Sequence, residues 1–320
     1  MNIVILGGAG FIGQKLAIKL AETGVLRGKS IEKITLCDMV APQNHIDAEF
    51  PIEFTKFDMT DEQSVFKSIP DDTDVIFHLA SIVSGQAEAD MALGYKVNLD
   101  GMLYLLKRVC TLPKPPVLVF SSSIAVYSAK TPQPIEDHSI RSPQSSYGTQ
   151  KVMCEMLLND YSRKGLVDGR GVRLPTITVR PGKPNAAASS FLSSIIREPL
   201  AGEKAICPVT ENYRHYFSSP RTIIKNIIHA AEIEGANLGE DRNLMLPGIS
   251  ATVNNMLASL RNVAGDEVAD LVEFKRDETI EKIVLTWVSD LNPQRALELG
   301  FYQDESFDDF ITAHIEDELG

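Results

Sequence analysis

A short apolar run, Asn2 to Leu6, leads into Gly7-Gly8-Ala9-Gly10-Phe11-Ile12-Gly13, and from Lys15 to Glu22 apolar residues then recur at helical spacing. This succession of strand, glycine turn and helix restricts the fold more than any other stretch of the chain. Glycine lets a backbone turn sharply and approach a pyrophosphate closely, while the free N–H groups and positive end of the following helix attract an anion. The spacing Gly7-x-x-Gly10-x-x-Gly13 departs from the generic G-x-G-x-x-G, so the turn by itself leaves open an ordinary tight turn.

Further strands repeat the theme. A second strand, Ile34 to Cys37, ends at Asp38, where an acid accepts hydrogen bonds from ribose hydroxyls and repels a 2′-phosphate, favouring NAD over NADP. A third, Glu53 to Phe57, leads to Asp58-Met59, with Asp58 placed for an adenine amino group and Met59 for the ring. A fourth, Asp74 to Phe77, leads to His78-Leu79-Ala80-Ser81; His78 ends a buried strand and reads as a packing residue. The pattern predicts a helix from about Glu88 to Cys110 with Met91, Val97, Met102, Leu105, Leu106 and Val109 on its apolar face. Asn98 is embedded in that face, and a buried amide needs a partner. Pro113 to Pro116 break the chain before Val117 to Phe120, a short all-apolar run of the kind found in buried parallel strands. The fold class is α/β: a Rossmann-type doubly wound parallel sheet with a smaller C-terminal substrate lobe. Residues 1–180 form the expected NAD-binding Rossmann domain. Residues 181–320 are expected to be mainly a substrate-binding lobe, interleaved with elements returning to the sheet.

Composition narrows the function. The 320 residues are 44% hydrophobic and carry a formal net charge of -12, which disfavours nucleic acid and anionic membranes as partners. Cys37, Cys110, Cys154 and Cys207 are far apart and fit neither a zinc pattern nor a small disulfide framework, so no metal is expected. No apolar run approaches the roughly 18 residues of a membrane span, and the start lacks the basic, cleavable character of a signal peptide. The expected location is cytoplasmic.

In Ser145-Ser146-Tyr147-Gly148-Thr149-Gln150-Lys151 a phenol and an ammonium stand at (i, i+4), on one face of a helix. A neighbouring cation favours the phenolate, a base suited to an alcohol proton. Ser121-Ser122-Ser123, at the end of the fifth strand, offer hydroxyls to the same oxygen. With the glycine turn and Asp38, these residues closely resemble the extended short-chain dehydrogenase/reductase family over nearly the whole chain. Ser123, four residues before Tyr127, aligns with the family's serine, and Tyr147 and Lys151 match its Tyr-x-x-x-Lys. Val179-Arg180-Pro181-Gly182 looks like its Arg-Pro cofactor loop, and Asn292 to Phe301 like the segment before its last helix; Leu6 stands where many members carry Thr. The resemblance implies that Tyr147 takes a hydroxyl proton, Ser123 hydrogen-bonds the same oxygen, Lys151 holds the nicotinamide ribose and Asn98 joins a proton relay. It also implies NAD as cofactor, contacted by Gly7, Gly10, Phe11, Ile12, Gly13, Asp38, Asp58, Met59, Leu79, Ala80, Ser123, Tyr147, Lys151 and Pro181. A homodimer built on the helices around Met91–Val109 and Met153–Leu158 is implied too.

The most distinctive stretch is Lys183 to Phe191. Together with Ser81-Ile82-Val83-Ser84-Gly85 and Tyr213-Arg214-His215-Tyr216, it is similar to a branch of the family that oxidises the C2 hydroxyl of a four-carbon sugar acid, D-erythronate, with NAD. A small acid needs an anion anchor, for which the helix start at Ser189-Ser190, Lys183, Arg214 and Arg221 all remain open. Ser81, Ser84 and Asn185 complete the expected substrate set. The nearest rival is a nucleotide-sugar epimerase or dehydratase, against which stand Ser123-Ile124-Ala125, without the acidic pair of dehydratases, and the lack of a long insertion for a nucleotide base. A rival of another class is a non-enzymatic NAD sensor; such proteins often lose the tyrosine or lysine kept here.

Overall fold

The computed structural model describes residues 1–182 and 188–320, so Lys183 and Asn185 lie outside the described residues. The chain forms two compact units: Met1–Val126, Ser145–Arg173 and Ile224–Leu244 make the first, and Tyr127–Gln144, Leu174–Ile223 and Met245–Gly320 the second.

The first unit is built on a seven-stranded sheet. Its strands are β1 (Asn2–Leu6), β2 (Lys33–Asp38), β3 (Ile52–Lys56), β4 (Val75–His78), β5 (Val117–Ser123), β6 (Asp168–Leu174) and β7 (Asn243–Met245), in the order β7-β6-β5-β4-β1-β2-β3. From β3 to β5 the pairing is parallel: Leu6 lies opposite both Cys37 and His78, Asp38 opposite Lys56, and His78 opposite Phe120. All of β4 and nearly all of β5 are buried, as expected of strands covered on both faces. The sequential order runs one way from β1 through β2 to β3 and the other way from β4, so a switch point falls between β1 and β4.

Helices cover this sheet. α1 (Phe11–Thr23) buries Gly13, Leu16, Ala17 and Leu20 and stops at Gly24, whose φ of 62° is the left-handed cap conformation. α2 (Glu62–Ser68) is capped by Asp61, which accepts from the Gln63 amide. The single helix expected over Glu88–Cys110 is instead several pieces. Ser84–Ala89 ends at Asp90, whose carboxylate caps Met91–Gly94; a π turn spans Tyr95–Asp100, and α3 (Gly101–Val109) comes next. The apolar spacing is right for a helix, but the capping carboxylate at Asp90 and the widened turn around Asn98 interrupt it. α4 (Ser146–Arg163) begins at Ser145, whose Oγ accepts from the Gly148 amide at 3.1 Å. The core between α3, α4 and the sheet joins Met102, Leu105, Leu106, Cys154 and Leu158 to Val4, Leu6, Ile76, Leu118 and Phe120.

In the second unit, Arg214–Ser218 pairs in parallel with Thr176–Ile177 and antiparallel with Ile249–Thr252. Its core gathers Phe191, Leu192, Ile195, Phe217, Met256, Leu260 and Phe310, with Trp287 packed against it.

Candidate active site

Because β1 to β5 run in parallel, their carboxyl ends deliver Gly7, Asp38, the Asp58 loop, Leu79–Ser81 and Ser121–Ser123 to one edge of the sheet, where sheets of this kind take ligands. The turn after β1 has no room for side chains. Gly7 has φ +86°, and a Cβ there would stand 2.7 Å from the Ala80 amide nitrogen; one on Gly13 would stand 2.2 Å from the Gly7 carbonyl oxygen. Backbone is thereby left bare at the start of α1, where the amides of Phe11, Ile12 and Gly13 have no acceptor within the helix. Such a cradle fits a pyrophosphate. Asp38 sits beside it, half-buried, with Oδ2 accepting from the Ala9 amide at 3.0 Å and Oδ1 from the Met39 amide at 2.7 Å. Asp58 accepts from the amide and hydroxyl of Thr60, both at 2.8 Å. Met59 is 5% exposed and belongs to the core, where its Cγ closes on Gly101.

Tyr147 occupies the first turn of α4 and is half-buried. One turn on, Lys151 is only 2% exposed. Its Nζ donates to the Ser121 carbonyl at 2.8 Å and stands 5.3 Å from the Tyr147 ring centre and 4.8 Å from that of Phe120. The buried ammonium thus lies within cation–π reach of both rings. Ser123, half-buried at the end of β5, accepts from the Ala125 amide at 3.1 Å through its Oγ. The hydroxyl hydrogen thus remains for another acceptor.

Behind these groups lies a buried polar layer. His78 is 1% exposed, and burial, reinforced by the Lys151 charge, pushes its pKa down to about 3, so the imidazole is neutral at pH 7. Asn98 is buried in the π turn. Its Nδ2 donates to Gln150 Oε1 at 2.8 Å and to the Ile82 carbonyl at 3.3 Å, and its Oδ1 accepts from Ser81 Oγ at 2.9 Å and the Ile82 amide at 3.0 Å. Its own carbonyl accepts from Cys154 Sγ. The structure thus brings Asn98 together with Ser81; Ser84 opens the next short helix.

Three residues that no sequence motif marked complete this layer. Gln150 is one. The others are Glu155, fully buried on α4, and Arg173 on β6, whose Nε and Nη2 each donate to the carboxylate at 2.9 Å while Ser122 Oγ donates to it at 2.6 Å. A signal was present: Gln150, Lys151 and Glu155 fall on the same face of α4 as Cys154 and Leu158, an unusual run of polar residues on a buried face.

In the second unit Pro181 is described and half-buried, and the Ser189 carbonyl accepts from the Leu192 amide at 3.2 Å at the start of the helix Phe191–Leu200. Arg214 is exposed and donates to Ser250 Oγ at 3.3 Å. Arg221 is committed elsewhere: its Nε meets both Asp317 carboxylate oxygens at 3.1 Å and its Nη1 meets Glu316 at 2.8 Å, which raises its pKa further.

Residues 3–216 match the model of the NAD dependent epimerase/dehydratase family. The chain belongs to that family, whose cofactor is a nicotinamide dinucleotide. Among individual proteins, it is 48% identical to D-erythronate dehydrogenase of Cupriavidus necator, covering 99% of this chain and 98% of the relative. It is 44% identical to D-erythronate dehydrogenase of Haemophilus influenzae, covering 99% of each. A solved structure described as the nucleoside-diphosphate-sugar epimerase from Agrobacterium tumefaciens matches with a TM-score of 0.96 and 46% identity over 100% of this chain and 95% of the other.

Proposed function

We propose that the protein is an NAD-dependent dehydrogenase that oxidises the C2 hydroxyl of D-erythronate to 2-dehydro-D-erythronate. The observation that carries this reading is end-to-end similarity, at 48% and 44% identity, to two proteins of that name, in a chain that keeps Ser123, Tyr147 and Lys151 at the carboxyl edge of the sheet. When bound, the nicotinamide supplies the acceptor for the hydride leaving C2. Tyr147 takes the proton from the C2 hydroxyl. Ser123 donates a hydrogen bond to the same oxygen, steadying it as the carbonyl forms. Lys151, whose Nζ donates to the Ser121 carbonyl at the end of β5, would hold the nicotinamide ribose. Asp38 makes NAD the preferred dinucleotide, since a 2′-phosphate would face its carboxylate. Among the carboxylate anchors considered, Arg221 is disfavoured because its guanidinium is held by Asp317 and Glu316; Arg214, Lys183 and the Ser189-Ser190 helix start stay open.

A second reading has its own observation, the description of the Agrobacterium tumefaciens structure as a nucleoside-diphosphate-sugar epimerase. The same tyrosine, lysine and serine would serve an epimerase. The deciding experiment tracks NADH absorbance with NAD and a panel of D-erythronate, L-threonate and nucleotide sugars. Turnover of a free four-carbon acid is expected; epimerisation of a nucleotide sugar with no acid oxidised would replace this function with the second.

The same proposal includes a homodimer. On α4, Met156 is exposed and Val152, Met153 and Leu157 are half-buried, an apolar surface on one of the helices expected to pair. Sedimentation at micromolar concentration is expected to give twice the 35.2 kDa chain mass, and a monomer would remove this part.

A further inference from the structure

An asparagine amide offers two hydrogens and two acceptor sites, and in Asn98 all four are used inside the first unit. Two of the bonds form a closed pair with one residue: Nδ2 gives to the Ile82 carbonyl while Oδ1 receives from the Ile82 amide. Oδ1 also receives from Ser81 Oγ, and the remaining Nδ2 hydrogen goes to Gln150 Oε1. Only one orientation of the Asn98 amide satisfies these partners. Turned over, it would set oxygen against the Gln150 oxygen and the Ile82 carbonyl, and nitrogen against the Ile82 amide.

Gln150 fixes that orientation from α4. It is fully buried, and its Nε2 has no hydrogen-bond partner among the described residues. A buried amide left half-satisfied is costly, which is hard to reconcile with a residue present only for packing. Room for it comes from Gly94, just before the π turn, where a Cβ would lie 2.6 Å from Gln150 Nε2. Gly94, Asn98 and Gln150 thus form one device. Since Gln150 immediately precedes Lys151, this device ties the helix that carries Tyr147 and Lys151 to the segment after β4.

We infer that Gln150 is a positioning residue, acting through Asn98 to hold the Ser81–Ser84 segment in the shape that receives the substrate. This rests on the reading that a sugar acid is oxidised at this site with Ser81 and Ser84 among its contacts.

Two variants test it. Gln150→Met keeps the volume and removes the acceptor, while Gly94→Ala leaves Gln150 intact and displaces the end of its side chain. Both are expected to raise the KM for D-erythronate about 10-fold, the scale of one lost buried hydrogen bond, with kcat and NAD affinity little changed. In an Asn98→Ala background, Gln150→Met is expected to add less than about twofold, because coupled residues are not additive. Hydrogen exchange in the peptide spanning residues 79–86 is expected to quicken in both variants with NAD bound. An unchanged KM and unchanged exchange, a loss confined to NAD affinity or kcat, or full additivity with Asn98→Ala would each overturn the inference. If Gln150→Met does not fold, Gly94→Ala decides by the same readouts. Failure of wild-type protein to oxidise any sugar acid would instead remove the proposed function, and the exchange experiment would still decide whether Gln150 holds the Ser81–Ser84 segment.

Discussion

At Tyr147 the proposed chemistry depends on a single oxygen. Tyr147→Phe keeps the ring beside Lys151 and removes only the group proposed to take the proton. It is expected to lower kcat by about 10²–10⁴-fold, the usual contribution of a positioned general base, while NAD still binds by fluorescence titration. Undiminished function with NAD bound would favour a sensor over an enzyme. The role proposed for Asp38 is different, acting through charge beside the turn after β1. Asp38→Gly is expected to bring the kcat/KM values for NAD and NADP closer together; an unchanged ratio would mean that the carboxylate does not face the ribose. His78 is the residue most easily mistaken for a catalytic one. Its burial and its depressed pKa keep it neutral, and its ring packs on Phe120 at 5.5 Å.

At the scale of elements, α4 is held to the sheet by charge as well as by apolar packing. The Glu155–Arg173 pair, bidentate and fully buried, joins α4 to β6, and Ser122 brings in β5. Removing Arg173 takes the bidentate guanidinium partner from a fully buried carboxylate. Arg173→Met is therefore expected to cost about 3–5 kcal/mol in urea unfolding. The double variant Glu155→Met with Arg173→Met should recover much of that loss, since two apolar side chains of similar volume leave no fully buried charge behind, and Asp241, which Arg173 meets at 4.0 Å, is 41% exposed. Single-variant costs below about 1 kcal/mol would show that the pair is more hydrated than its burial implies. Interruption of the expected 88–110 helix belongs to this scale too. An α-helix with one extra residue in a turn rotates the residues beyond that turn, and such π turns recur at functional sites; here it carries Asn98 into the polar layer.

For the whole molecule, His78 in the first unit and His215 in the second are buried and neutral, both with pKa lowered from 6.5 to about 3, chiefly by burial. Between these values the unfolded chain binds protons that the folded one does not, so stability is complete above pH 6.5 and falls as pH drops toward 3. Each histidine is expected to cost roughly 2 kcal/mol by pH 5 from this linkage. Urea midpoints at pH 7.5 and pH 5 should show the loss, and His215→Phe should make the dependence shallower. Equal midpoints at both pH values would show that the imidazoles are not isolated from protons.

Local rules account for the features that were legible in the sequence. A strand, three glycines and a helix specify a bare backbone turn because steric exclusion at Gly7 and Gly13 acts over a few residues. The (i, i+4) rule places Tyr147 and Lys151 together because a helix repeats every few residues. Short apolar runs alternating with helical ones specify a parallel α/β sheet, and the chain has seven strands in that arrangement. The partners of buried polar groups were not legible. Asn98 meets Gln150 across 52 positions and Glu155 meets Arg173 across 18, and nothing local in either residue names the other. Commitment of Arg221 to Asp317 across 96 positions was equally hidden. The sequence by itself determined which chemical groups the sheet edge would carry. Only the tertiary structure decided which buried donors met which acceptors, because that pairing is settled by three-dimensional packing and by the cost of leaving any of them unpaired.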